Sequence, residues 1–396
     1  MKILLHSNAP FTSTGYGQQT AQLVTRLKQA GHDVAVSAFY GVDGATVEWR
    51  GVRCYPSDHT KFGRARLPDY AAHFGDGEDV LVLTLFDVWV AGAGWPTLNV
   101  ASWVPVDHDP LPPRVYQFFA HSGARPIAMS RFGQRELRRC ELDALYVPHG
   151  IDTEVFRPWE DRDEVRDGLG VPRDAFVVGM VACNKGISPS RKSFPQMFQA
   201  FSEFARRHDD AYLYLHSEVL GLEAGINLIA LADACSIPED RWRATDPLMY
   251  HLGIEQQQMA GMYSAFDVLA NPSHGEGFGI PIVDAQACGV PVIVTDWTSM
   301  PELCGAGWVV RGDTWYDAGH GSFFMCPSVA EIIDALEEAY EHAAGMGDQA
   351  REHELAYDAD LVFATYWQPI LGELEVGREE VAPLTAVDDD VTVVAA

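Results

Sequence analysis

Short apolar runs alternate with longer amphipathic stretches along most of this chain, and Gly, Pro and Asp mark the joins. Residues 2–6 (Lys-Ile-Leu-Leu-His) form the first run, ended by Ser7, Asn8, Ala9 and Pro10. A loop with Gly15, Tyr16 and Gly17 follows. Residues 18–29 then place Ala21, Leu23, Val24 and Leu27 at helical spacing, and Gly31 closes the segment. Residues 33–39 read as a second strand. Strand, Gly loop, helix, strand is the opening of a doubly wound α/β domain. Further strands are expected at 52–55, 80–85, 100–106, 126–129 and 145–147, with a helix at 132–139. Residues 41–78 give no readable pattern.

The alternation restarts after a turn at 148–152 and a stretch at 157–174 rich in charge, Pro and Gly, where a domain boundary is expected. Strands are predicted at 176–181, 211–216, 266–270, 290–295 and 308–311. Helices are predicted at 195–207, 223–235, 256–263, 281–287, 329–343 and 355–371. The pattern therefore describes two Rossmann-like halves in tandem: an N-terminal domain at 1–152, a C-terminal domain at 172–354, a last helix at 355–371 and a polar, disordered tail at 373–396.

Composition changes this picture in two ways. With 396 residues, 47% of them hydrophobic, the chain can bury large cores without staples. Yet 28 basic residues face 56 acidic ones, a formal net charge of -28. That field repels nucleic acid and anionic lipid, so neither partner is expected. The seven cysteines are scattered, odd in number and without C-x-x-C, which predicts reduced thiols in a cytoplasm. The first residues hold too short an apolar run for a signal peptide, and residues 88–106, though uncharged, are broken by Gly and Pro; stable membrane insertion is not expected.

Against this acidity a basic cluster is informative. Residues 178–186 run from a strand into a loop containing Asn184, Lys185 and Gly186, and Arg191 and Lys192 follow. Cations beside glycine suit a diphosphate leaving group, whose developing charge needs fixed positive partners; a solvated loop is the alternative. The second informative stretch, 273–285, reads Ser-His-Gly-Glu-Gly-Phe-Gly-Ile-Pro-Ile-Val-Asp-Ala. Three glycines before a helix with Pro281 in its first turn let backbone N–H groups approach an anion. Glu276 and Asp284 flank that loop eight residues apart, and paired carboxylates there suit sugar or ribose hydroxyls. In the N-terminal half, Asp107 and His108 sit just past a strand end, where α/β sites form. No His spacing reads as a metal site, and neither G-x-S-x-G nor a Walker A motif is present.

From 263 to 303 the chain resembles the retaining glycosyltransferases of the GT-B fold, specifically the nucleotide-sugar-dependent family 4 (group 1): A-F-D-V-L-A-N-P-S, G-E-G-F-G-I-P, D-A-Q-A-C-G-V-P-V-I-V-T-D and P-E-L-C-G-A-G follow its pattern. The resemblance extends from the first strand to about residue 371. It implies two Rossmann-like domains facing across a cleft, with the last helix crossing back to the first domain. It implies that Glu276 faces the donor sugar, that the backbone of Gly277, Phe278 and Gly279 holds the diphosphate, and that Asp284, in place of the usual Glu, meets the ribose. Lys192 corresponds to the family's phosphate-binding Lys, with Arg191 or Asn184 in the place of its Arg and Lys185 nearby. Gly15 and Gly17 correspond to the Gly-rich loop near the donor phosphates. Asp107 and His108 lie where the family often has a His or Asp near the anomeric centre. Ser130 is expected as a helix N-cap and Arg131 as a candidate site residue; His149 replaces the Asn of the family's interdomain linker.

The expected function is retaining transfer of a sugar from a nucleotide-diphosphate sugar, its base unspecified, to a hydroxyl acceptor: a soluble glycan, small molecule or protein. The resemblance implies no cofactor and no metal ion. The competing readings are a sugar phosphorylase or hydrolysing epimerase on the same fold, and a non-enzymatic binding or scaffold protein that keeps it, for which the Asp at 284 is the sequence support.

Overall fold

A computed structural model describes residues 1–58, 60–186, 190–222 and 224–376. The first sheet has eight strands: β1 (Lys2–Asn8), β2 (Asp33–Tyr40), β3 (Val47–Trp49), β4 (Val52–Tyr55), β5 (Val80–Leu85), β6 (Asn99–Val104), β7 (Arg125–Ala128) and β8 (Leu145–Tyr146). Their order is β3-β4-β2-β1-β5-β6-β7-β8, parallel throughout except for the β3–β4 pair. The second sheet is β9 (Phe176–Val181), β10 (Ala211–His216), β11 (Trp242–Ala244), β12 (Val268–Asn271), β13 (Val292–Thr295) and β14 (Gly307–Val310), in the order β11-β10-β9-β12-β13-β14 and wholly parallel. β1 and β9 are buried along nearly their whole length, which is why they appear as continuous apolar runs rather than alternating ones.

Both sheets change direction at a central strand. The chain leaves β1 for β2 on one side and returns to β5 on the other; it leaves β9 for β10 and returns to β12. Such a switch opens a crevice at the carboxyl ends of the strands. The two crevices face each other, and the site described below fills the space between them.

Several elements depart from the sequence expectation. The Gly15–Gly17 segment is the first turn of the helix Gly15–Gln29, not a loop: the Thr14 hydroxyl caps it by accepting the Gly17 N–H at 3.0 Å. The unread stretch 41–78 contains β3, β4 and the helix Leu67–Gly75. The expected boundary at 157–174 is occupied by a helix, Arg162–Leu169, capped by Asp161 and tied to the second sheet through Arg166 and Asp267. The helix expected at 223–235 begins only at Leu228, behind the Asn227 cap; Glu223 lies outside the described residues. A hairpin, β15 (Gly312–Asp317) and β16 (Ser322–Pro327), follows β14 where no element was expected.

After Ala359 the chain is helical to Val376, with a wider π-type turn over Phe363–Trp367. This last helix packs on the first sheet: Trp367 meets Trp103 at 5.0 Å between ring centroids, and Tyr366 meets Tyr146 at 5.4 Å. Residues 373–376, assigned to the tail from sequence, are its final turn. The remaining tail, 377–396, lies outside the described residues. No described helix is long and apolar enough to cross a membrane.

Candidate active site between the two sheets

The segments that follow β1, β5, β6, β9, β12 and β13 converge. From the second sheet, the loop after β12 carries Glu276 on a backbone held from below. The Thr298 hydroxyl accepts the Glu276 N–H at 3.0 Å, and the Ser299 hydroxyl donates to the carbonyls of Glu276 (2.8 Å) and Phe278 (2.6 Å). Thr298 sits at φ 54°, a conformation a β-branched residue adopts at a cost, so the support itself is strained.

The loop after β9 brings Arg191 and Lys192 to the same point. Lys192 Nζ is paired directly with Glu276 Oε1. Arg191 Nη1 donates to the Gly275 carbonyl at 2.7 Å and lies 3.4 Å from Glu276 Oε2. It also reaches across to Asp107 of the first domain, 3.7 Å away, so one guanidinium joins both walls. All three groups are mostly removed from water. Burial opposes the Glu276 charge, but Lys192 and Arg191 outweigh it and hold the carboxyl below its usual value. Burial likewise opposes the Arg191 charge, and Glu276, Asp107 and Asp87 overcome it. For Lys192 burial is the larger influence and pulls the ammonium down, with Glu276 working against it.

The first domain supplies acids. Asp107 follows β6 and accepts a hydrogen bond from His108 Nδ1 at 2.6 Å. Burial would raise its pKa, yet His108 and Arg191 bring it down to about 2. Asp87, which follows β5, is less well compensated: burial first and then the Asp107 charge outweigh Arg191 and His320 and push it up to about 6. Tyr16 completes the wall; burial raises its phenol well above the ordinary range, with Asp87 and Asp107 adding to the shift and Arg191 opposing it.

The walls touch. A methyl group on Gly277 would lie 2.3 Å from Pro105 Cβ, and one on Gly275 would lie 2.1 Å from the Asp107 carbonyl oxygen. Only glycine allows this approach, so these two positions are fixed by the neighbouring domain as much as by any ligand.

The structure thus brings together Glu276, Arg191, Lys192, Asp107 and His108. It places Gly15 beside Ile280, the first residue of the helix behind the donor loop. Phe278 is buried and packs edge-on to His149, whose ring also meets Trp103. Ser130 caps the helix Arg131–Arg139 as expected, its hydroxyl accepting the Gly133 N–H. Arg131 lies apart from the cluster, stacked 3.6 Å over Tyr146.

Two expected residues have other surroundings. Asn184 is buried, and its amide is fully engaged: it donates to the carbonyls of Glu218 and Ile226 at 2.7 Å and accepts the Ile226 N–H at 2.9 Å. It is a brace between two loops, with no donor left to stand in for a phosphate-binding Arg. Asp284 is also buried, near Glu354, and burial drives its carboxyl well above the usual range. A neutral acid there can donate one hydrogen bond as well as accept. Sequence reasoning missed Tyr16, Asp87, Thr298 and Ser299, which join the cluster from three strand ends, those of β1, β5 and β13.

Comparison with known proteins places this geometry. The family model described as Glycosyl transferases group 1 matches residues 187–342, the segment that carries Arg191, Lys192, Glu276 and Asp284. The fold is GT-B: the chain superposes on sucrose-phosphate synthase from Thermosynechococcus elongatus with a TM-score of 0.72 at 17% identity, covering 95% of this chain and 100% of that one. It superposes on the Anabaena protein Alr3699/HepE, solved with UDP and glucose, with a TM-score of 0.67 at 17% identity, covering 95% and 99%.

In sequence, the chain is 32% identical over 211 residues to D-inositol 3-phosphate glycosyltransferase 1 of Catenulispora acidiphila, covering 51% of this chain and 47% of that protein. It is 28% identical over 228 residues to the D-inositol 3-phosphate glycosyltransferase of Mycolicibacterium smegmatis, covering 58% and 48%. The chain thus matches about half the length of these curated relatives. The resemblance to group 1 glycosyl transferases and the two-domain fold expected from the sequence both stand.

Proposed function

We propose that this chain is a retaining glycosyltransferase that moves a sugar from a nucleoside diphosphate sugar to a hydroxyl acceptor. The observation that carries the reading is the half-buried Arg191–Lys192–Glu276 cluster, set on a glycine loop at the crevice of the second sheet and inside the segment matched by the family. In the ligand-free arrangement the two cations are neutralised by Glu276 and Asp107. An incoming diphosphate competes for them, freeing Glu276 to accept sugar hydroxyls. The anomeric C–O bond to the diphosphate then breaks as the acceptor oxygen bonds to the same carbon on the same face. The acceptor proton passes to the departing phosphate oxygen, whose charge Arg191 and Lys192 stabilise. The names of the relatives suggest a phosphorylated cyclitol as acceptor, but Asp87 and Asp107 line the opposing wall at the reacting centre. A neutral hydroxyl acceptor fits that wall better.

The test is thermal stability against UDP, GDP, ADP, CMP and NAD. A ligand at 100 times its dissociation constant stabilises by about 2.7 kcal/mol. A shift with one nucleoside diphosphate that disappears in Lys192→Ala and in Glu276→Ala is expected, followed by sugar transfer from the matching nucleotide sugar with the anomeric configuration kept. Absence of any diphosphate shift would favour the scaffold reading; turnover only with inorganic phosphate as acceptor would favour a phosphorylase.

A further inference from the structure

Beside the candidate active site, three side chains from both domains point their ligating atoms at one spot. His108 comes from the segment after β6; Asp317 ends β15, and His320 lies in the turn before β16. Their nitrogen and oxygen atoms all lie within 4.8 Å of one another. The hairpin is anchored to the first domain at this place: the Asp109 N–H donates to the Phe323 carbonyl at 3.2 Å, and the Ser322 hydroxyl donates to the Pro110 carbonyl.

Each of the three is oriented from behind. The Asp107 carboxylate takes the Nδ1–H of His108 at 2.6 Å, which leaves Nε2 turned toward Asp317. Asp317 Oδ1 accepts the Gly319 N–H at 2.8 Å, leaving Oδ2 to face both imidazoles. Phe324 stacks on His108 at 3.7 Å between centroids, and Trp89 meets His320 edge-on at 4.9 Å. A carboxylate that fixes a histidine tautomer, inside an apolar collar, is the usual outer support of a metal-binding imidazole.

The spacing is long for a hydrogen bond and suits a shared metal ion. A charge-assisted N–H···O bond is about 2.7–2.9 Å long, whereas His108 Nε2 and Asp317 Oδ2 are 3.4 Å apart. Two ligands on a tetrahedral ion with bonds near 2.05 Å stand about 3.3 Å apart. His108 Nε2 and Asp317 Oδ2 thus face each other at a distance that a shared metal ion would span. His320 already contacts the same oxygen and would spread from it by less than about 1 Å to complete the set.

We propose that His108, Asp317 and His320 bind a divalent transition-metal ion of the Zn²⁺ or Co²⁺ type, which clasps the hairpin of the second domain to the first. Two imidazoles and one carboxylate suit such ions rather than Mg²⁺ or Ca²⁺. Three protein ligands leave a coordination position for water. Asp317 and His320 keep 15% and 27% of their side-chain surface, so the place is reachable from solvent.

The test uses the full chain, stripped with chelator and titrated with Co²⁺ by visible absorption and with Zn²⁺ by calorimetry. One Co²⁺ per chain with a d–d band of low coordination number is expected, displaced by Zn²⁺. Asp317→Asn and His320→Gln keep hydrogen-bonding shape but lose ligands, and both should abolish the band. Asp107→Asn should weaken binding on the order of 10- to 100-fold. Near-ultraviolet circular dichroism verifies that each variant is folded, and His320→Ala replaces any that is not. Absence of a Co²⁺ band and of Zn²⁺ heat in the wild-type chain overturns the proposal and leaves a proton as the shared cation. Undiminished binding in both folded ligand variants overturns it equally, placing the ion elsewhere.

Discussion

The two sheets share a device and differ in what they deliver with it. Each reverses its winding at one central strand, β1 or β9, and each therefore opens a crevice at its strand ends. Into that crevice the second domain sends two cations and a glycine loop, and the first sends two carboxylates and a tyrosine. The same topology thus says where a ligand sits but not which part of it sits on which side; the charges do that. Under the proposed transfer, the phosphate-bearing group would lie with Arg191 and Lys192, and the acceptor hydroxyl with Asp87 and Asp107.

Three substitutions break or sharpen this contrast. The largest effect is expected where the first domain depends on the end of the chain. Trp367→Ala removes a ring that is 3% exposed and set against Trp103, and should cost about 3–5 kcal/mol. The loss should appear in the first domain: in hydrogen exchange, amides of β5 to β7 should open before those of β9 and β12. Equal opening in both sheets would erase the distinction.

Asp87→Asn comes next and isolates the acidic wall. A buried carboxyl with its folded pKa raised to about 6 binds protons more tightly folded than unfolded. Stability therefore falls as pH rises from about 4 to 6, and the full penalty persists above that. The amide carries no such penalty, so the variant should be more stable by on the order of 2–3 kcal/mol at pH 8 and close to wild type at pH 4. Equal melting temperatures at pH 8 would show that Asp87 is already compensated.

The smallest effect belongs to Asn184→Ala in the second domain. It strands the carbonyls of Glu218 and Ile226 and should cost about 1–3 kcal/mol. Diphosphate affinity, measured on the fraction that stays folded, should change less than in Lys192→Ala. A loss as large as that of Lys192→Ala would return Asn184 to the ligand set.

What could be read in advance follows the same division. β9 and β10 were legible to the residue because both faces are buried and their apolar runs are unbroken. The Glu276 loop was legible because its chemistry is contiguous in sequence. The helices Leu67–Gly75 and Pro113–Ser122 were not, because Pro68 and Pro113 look like breakers although they stand in the first turn, where a missing N–H costs nothing. Asp87 and Tyr16 carry no local signal; each becomes a site residue only when separate strands end side by side. The His108–Asp317–His320 group escaped any spacing rule, since His108 and Asp317 are 209 residues apart. The turn from Asp317 to Gly321, between strand-forming Thr-Trp-Tyr and Ser-Phe-Phe, was the one local sign of the hairpin that supplies two of its members.

The helix from Ala359 to Val376 returns to the first sheet after the second has been laid down. The first domain is therefore discontinuous in sequence, and the second is an insertion between its body and its last helix. On a ribosome, the second domain emerges whole while Trp103 still lacks its partner. The order of completion is inside out: the second-made domain can finish first, and the first-made domain waits for the helix Ala359–Val376.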